Sequence, residues 1–220
     1  MAAGSSGKPV ALLGGTFDPV HNAHLRVAWE AAEFLDAEVR IVPAGLPPHR
    51  DPPVASADQR AALLRAALEG QARLVLDTRE LHRAGPSWTV DTLIDLRAEA
   101  GPSRPLVLLL GADAFAGLPS WHRWRDLFEL AHLGVLSRPG HVPGALPTEL
   151  RTKVASRRCS DPAQLHALPA GRVLPIPVTP LEISATQVRA LLAAGREPRW
   201  LVPDALFRDP ALLAPYRPAG

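Results

Sequence analysis

The sequence predicts an α/β protein, a single domain built on a doubly wound, mainly parallel sheet. Three observations predict it. Short apolar runs alternate along the chain with amphipathic stretches of helical period. One run, Leu106 to Leu110, is apolar throughout, as expected for a strand covered on both faces. The segments richest in Gly, His, Asp and Trp each follow a predicted strand, at the edge where open parallel sheets bind ligands.

The first strand is Val10 to Leu13, followed by Gly14, Gly15 and a turn at Asp18-Pro19. A helix over His21 to Asp36 follows from Leu25, Ala28, Trp29, Ala32 and Leu35 at helical spacing. Glu38 to Val42 is the second strand. Residues 43–53 hold five prolines and exclude regular structure. Ser56 and Gln59 form a capping box ahead of a helix over Ala57 to Leu68. Ala72 to Asp77 is the third strand. Ser87 to Ala100 is a polar turn leading into a helix, with Val90, Leu93, Ile94 and Arg97 in register. The fourth strand, Leu106 to Leu110, enters Gly111-Ala-Asp113, a loop with Trp121 and Trp124, and a helix ending near Leu130. Of these two tryptophans, one is expected in the core and one in the site. His132 to Leu136 is the fifth strand, and Thr148 to Arg158 reads as a polar helix. The sixth strand, Val173 to Val178, contains two prolines and so is assigned to an edge or a bulge. Ile183 to Ala194 is a helix, and the tail from Trp200 packs back on the domain. Residues 1–8 read as a flexible leader and 9–216 as the domain.

Composition narrows the function classes. A formal charge of +2 over 220 residues argues for neither a nucleic-acid nor a membrane partner. The single cysteine, Cys159, excludes an intrachain disulfide and a cysteine metal site. No apolar run approaches the roughly 18–20 residues of a membrane span, and the N-terminus lacks a secretory pattern. A cytoplasmic setting is expected.

The chemistry-bearing residues suit phosphate. Gly14 and Gly15 bring a strand end close to a helix start, where backbone N–H groups and the dipole favour an anion. His21 and His24, three apart, share one face of that first turn and add donors, cationic when protonated. Ser184 with Gln187 caps a second helix, Thr186 adds a hydroxyl, and Arg189 a forked donor. Two such helix starts facing one crevice suit a polyphosphate. The sequence has no Walker motif and no nucleophile elbow, and two histidines without a third spaced ligand are a poor zinc site. Catalysis by alignment and charge neutralisation remains, which is what phosphoryl-type transfer needs.

The motif Gly-Gly-Thr-Phe-Asp-Pro-x-His-x-x-His over residues 14–24 resembles the signature of the (His/Thr)-x-Gly-His nucleotidyltransferases, with Ala23 in place of the usual glycine. Ile-Ser-Ala-Thr-Gln-Val-Arg (183–189), Pro-Ala-Gly-Leu-Pro-Pro-His-Arg (43–50), Ser-Trp-Thr-Val-Asp-Thr-Leu (87–93), Gly-Ala-Asp-Ala-Phe (111–115), Pro-Ser-Trp-His-Arg-Trp (119–124) and Leu-Val-Pro-Asp (201–204) are similar to segments of the bacterial nicotinate-nucleotide adenylyltransferases. The resemblance implies a Rossmann-like nucleotidyltransferase fold. It implies adenylyl transfer from ATP to nicotinate mononucleotide, giving deamido-NAD and pyrophosphate, with Mg²⁺ carried on the ATP phosphates. It further implies that Gly14, Gly15, Thr16, Phe17, His21, His24, Gly111, Asp113, Ile183, Ser184, Thr186 and Arg189 bind ATP, with His21, His24 and Arg189 catalytic. His49, Arg50, Thr89, Trp121 and His122 would bind the mononucleotide. Trp88 stands where the family more often has tyrosine. The open alternatives are transfer to nicotinamide mononucleotide or another phosphorylated acceptor, and nucleotide binding without turnover. Oligomeric state is not legible, so a homo-oligomer stays open.

Overall fold

The computed structural model describes residues 7–46, 52–137 and 145–218. Among them, six parallel strands form one sheet in the order β3-β2-β1-β4-β5-β6. The strands are β1 (Val10–Gly15), β2 (Glu38–Pro43), β3 (Leu74–Leu76), β4 (Leu106–Gly111), β5 (His132–Ser137) and β6 (Val173–Pro177). The order reverses between β1 and β4, so the crevice between these strands lies at the switch point of a doubly wound sheet.

Side chains alternate across the sheet and give each face its own core. Ala11, Leu13, Val39, Ile41, Val107 and Leu109 point to one face. There they pack under α1 (Asn22–Leu35), α2 (Ala57–Leu68), α7 (Ala185–Ala193) and the C-terminal segment, which includes α8 (Pro210–Leu213). Val10, Leu12, Val42, Leu106, Leu108 and Leu110 point to the other face, under α3 (Thr89–Ala100), α5 (Leu127–Leu130) and α6 (Thr148–Val154). The short α4 (Ala112–Ala116) continues directly from β4.

Most boundaries follow the sequence pattern. Ser56 and Gln59 form the expected reciprocal cap of α2. The proline-bearing β6 is the last strand in the sheet order, next to β5, and so is its edge strand. Trp124 is core at 5% exposure, while Trp121 stays half-buried. Three expectations need correction. α6 ends at Val154 rather than Arg158, because Arg158 leaves the helix to bridge Val173. α3 begins at Thr89, with Ser87 and Trp88 extended before it. β3 is shorter than expected, three residues over Leu74–Leu76. Among the described residues no helix is long and apolar enough to cross a membrane.

Candidate active site

The site is built where β1 and β4 end. An added Cβ at Gly14 or Gly111 would meet no atom within 4 Å, so both strand ends face open space. After Gly15 and Thr16 the chain turns through Phe17, a non-glycine residue at φ 51°, into Asp18. The Phe17 ring is 2% exposed and meets the His24 ring edge-on at 4.9 Å. The Phe17 side chain thus packs against the His24 imidazole.

His21 precedes α1 as its N-cap, and its backbone N–H donates to His24 Nδ1 at 3.2 Å. A histidine thus takes the position that glutamate or glutamine holds in the usual capping box. Because Nδ1 accepts, the ring proton of neutral His24 sits on Nε2. The two imidazoles stack at 3.6 Å. His21 is 5% exposed, its Nδ1 has no hydrogen-bond partner among the described residues, and burial lowers its pKa to about 4. His21 is therefore neutral at pH 7, which excludes the cationic form for this member of the pair. The helix start is also less open than its sequence suggests. Asn22 N–H donates to Leu201 O at 2.8 Å, and the Asn22 side chain to Trp200 O at 2.7 Å. The C-terminal segment has taken that donor.

The second helix start meets the first. Ser184 Oγ accepts from Gln187 N–H at 3.1 Å and caps α7. Arg189 lies one turn in. Its Nη1 donates to Asp18 O at 2.7 Å, and its Nη2 to Thr186 Oγ1 at 3.4 Å. A guanidinium has five donors, and these contacts fix its plane with donors remaining. Ile183 is half-buried ahead of the cap. The histidines and Arg189 thus flank one loop, 14–24.

Beneath that loop lies a polar cluster that sequence reasoning missed. The Asp18 carboxylate, 5% exposed, accepts from Val54 N–H at 2.8 Å, Ala55 N–H at 3.0 Å and Tyr216 OH at 2.7 Å. Arg60, 1% exposed, donates to Thr16 O and Ala44 O, each at 2.8 Å, and its charge faces Asp18. One sign was legible: Arg60 shares a helix face with Leu63, Leu64 and Ala67, an apolar stripe where a charge is out of place unless bound. Tyr216, near the end of the described residues, offered no such sign.

On the other flank, Thr89 opens α3, and the Trp88 ring lies 4.9 Å from that of His122. Half-buried Trp121 packs against the same core as Trp88. Ser87 ties this flank to the loop after β2: its Oγ accepts from Gly45 N–H at 3.0 Å, and its N–H donates to Leu46 O at 3.1 Å. Glu80, 7% exposed, accepts from Thr92 Oγ1 at 2.7 Å and from Ser87, and burial pushes its pKa up. Position 45 requires glycine, since a Cβ there would stand 2.4 Å from Glu80 O. His49 and Arg50 lie outside the described residues. Asp113 is exposed in the first turn of α4. It lines a cavity of about 770 Å³ that continues past Ser137 toward Arg158 and includes neither histidine nor Arg189. Among the described residues no group of three or more His, Cys, Asp or Glu side chains could hold a metal ion.

Comparison with known proteins gives the family and the fold. Residues 12–191 match the model of the cytidylyltransferase-like family. A protein of Halorhodospira halophila, named a probable nicotinate-nucleotide adenylyltransferase, is 52% identical over 200 residues, covering 90% of this chain and 91% of its own length. One of Pseudomonas putida with the same name is 50% identical over 199 residues, covering 90% of each. Among solved structures, the nicotinic acid mononucleotide adenylyltransferase of Plasmodium falciparum complexed with NaAD superposes with a TM-score of 0.64 at 17% identity, over 91% of this chain and 95% of that one.

Proposed function

The chain belongs to the cytidylyltransferase-like family and, within it, to the nicotinate-nucleotide adenylyltransferases, and we propose on that premise how its residues divide the work. The reaction is transfer of the adenylyl group of ATP to nicotinate mononucleotide, giving deamido-NAD and pyrophosphate. A 5′-phosphate oxygen of the mononucleotide attacks the α-phosphorus of ATP. The new P–O bond forms as the bond to the β-phosphate bridging oxygen breaks, and pyrophosphate leaves with that electron pair.

The observation that carries the assignment is the 2.7 Å hydrogen bond from Arg189 to Asp18 O, which brings the start of α7 against the loop of His21 and His24. A triphosphate lying across that junction meets imidazole at its α-phosphate and guanidinium at its β- and γ-phosphates. In our assignment the Nε2–H of His24 donates to the α-phosphate oxygen on which charge builds, and neutral His21 stacks behind it. Ser184, Thr186 and Arg189 hold the leaving pyrophosphate, while Asp113, beside Gly111, takes the ribose hydroxyls. Thr89, Trp121 and His122, with His49 and Arg50, receive the mononucleotide. The donor set around the histidines is nitrogen-rich, whereas Mg²⁺ prefers oxygen and keeps its own water. Mg²⁺ would therefore ride on the ATP phosphates rather than on the histidines, and the chemistry it would supply is neutralisation of the pyrophosphate charge. ATP as substrate fits a cytoplasmic setting.

The test is a paired assay of pyrophosphate release with nicotinate and nicotinamide mononucleotides. A higher kcat/KM for the nicotinate form is expected; equal values would remove the base assignment while leaving adenylyl transfer.

A further inference from the structure

Asp18 is held on two sides. Its carboxylate takes Val54 N–H, Ala55 N–H and the Tyr216 hydroxyl, and its carbonyl takes Arg189. The two backbone donors lie in one stretch of chain ahead of α2, so they fix Asp18 from one direction only. Tyr216 comes from the opposite end of the sequence, 4% exposed, its ring seated in the core shared by Leu206 and Leu213. Its hydroxyl is a third, independent anchor at 2.7 Å.

We propose that Tyr216 is a positioning residue for triphosphate binding: by holding the Asp18 side chain it fixes the carbonyl on which the Arg189 guanidinium rests. Arg189 Nη1 also lies 3.9 Å from Asp18 Oδ2, so a shift of the whole residue moves both acceptors that face the guanidinium, and a side-chain rotation moves the carboxylate. Burial and the adjoining carboxylate push the Tyr216 hydroxyl to higher pKa, so it remains a donor throughout the working pH range. Thr186 is then the only acceptor for Arg189 among the contacts described that does not pass through Asp18. The hydroxyl touches no substrate in this scheme. It sets the direction of the guanidinium, and misaligned Arg189 donors lose the paired geometry that makes a guanidinium effective on phosphate. The inference rests on the assignment of Arg189 to the β- and γ-phosphates.

The experiment measures calorimetric affinities of ATP, pyrophosphate, AMP and nicotinate mononucleotide for the wild type, Tyr216→Phe, Arg189→Ala and the double variant. Tyr216→Phe keeps the ring and removes one hydrogen bond, so roughly threefold to tenfold weaker ATP and pyrophosphate binding is expected. AMP and nicotinate mononucleotide should bind as before. In the Arg189→Ala background the same change should weaken ATP no further, which a general loosening of the fold would not produce. Should Tyr216→Phe melt near the assay temperature, the series is run in the cold. The proposal is overturned if all four ligands weaken alike, if the two substitutions add, or if only Arg189→Ala affects ATP. If Arg189→Ala itself leaves ATP and pyrophosphate unchanged, the triphosphate assignment fails and this inference with it.

Discussion

Around Asp18, the loop after β1, the approach to α2, Arg189 and Tyr216 meet in a buried polar cluster. Around Trp88 and His122, two segments meet through a pair of rings, one half-buried and one exposed. Both flanks rest on a buried carboxylate, Asp18 at 5% and Glu80 at 7% exposure. They differ in what separates that carboxylate from the substrate. In our assignment Asp18 belongs to the loop that meets the triphosphate, and Val54, Ala55 and Tyr216 bond to its carboxylate directly. Glu80 reaches the base flank through Ser87 and Thr92, and the Trp88 and His122 rings meet above it. The difference teaches how one enzyme divides its stability. The phosphate flank must hold charge in a fixed geometry, which water-excluded dipoles do without reorganisation. In our assignment the base flank admits and releases an aromatic acceptor, which the exposed His122 ring can allow by a small rotation.

If that division is right, Asp18→Asn is the most damaging change. With its oxygen in the place of Oδ1 the amide keeps the acceptor that Ala55 N–H and Tyr216 share, but its NH2 group points a donor at Val54 N–H, and Arg60 is left buried without a facing charge. A loss of about 3–5 kcal/mol in unfolding free energy is expected, read by urea denaturation. A change under about 0.5 kcal/mol, the size of an ordinary surface substitution, would mean that the cluster is ornamental.

His24→Ala separates chemistry from architecture on the same flank. In our assignment it removes one donor to the transition state, for which a loss of about 10²–10³ in kcat is expected. The fold should survive, since His24 is half-buried and the substitution takes a side-chain acceptor from the His21 N–H at the start of one helix. Circular dichroism and pyrophosphate release on one preparation check both. Near wild-type turnover would detach the imidazole from the reaction.

The pH dependence of stability tests the burial of His21. With its pKa lowered to about 4 from an ordinary 6.5, the unfolded chain binds a proton between these values that the folded chain does not. Stability from this group therefore rises with pH across that window, is fully present above pH 6.5, and is lost as pH falls toward 4. The whole span is about 3 kcal/mol. His21→Asn should flatten this part of the profile in urea titrations from pH 4 to 7. An unchanged slope would mean that His21 is hydrated.

How much of this was legible in the sequence follows the same division. The strand-and-helix order, the edge position of β6 and the approach of Arg189 to the His21–His24 loop follow from periodicity, proline placement and the rule that strand ends gather the site. Those are local or topological signals. The cluster under Asp18 was not legible, because it joins residues 18, 54, 55, 60 and 216, and no period or spacing links such distant positions. The capture of Asn22 by Trp200 and Leu201 was hidden for the same reason, and so a helix start that looked open was assigned more free N–H groups than it has. Neutral His21 was hidden because burial, not sequence neighbours, sets its proton affinity.

The smallest effect sharpens the comparison most. His122→Ala on the base flank removes one ring of the 4.9 Å pair with Trp88. His122 is exposed, so truncation opens no cavity, and stability should stay within about 0.5 kcal/mol of wild type. In our assignment the ring faces the mononucleotide, and an aromatic contact of this kind is worth roughly 0.5–1.5 kcal/mol. KM for nicotinate mononucleotide should therefore rise about twofold to tenfold, with KM for ATP unchanged. Steady-state kinetics with each substrate varied in turn give both numbers. A rise in both KM values would show that the flanks are coupled, and that the base side shares the rigid scaffold under Asp18. A rise confined to the mononucleotide would show that acceptor recognition is carried by surface rings whose loss the phosphate machinery does not feel.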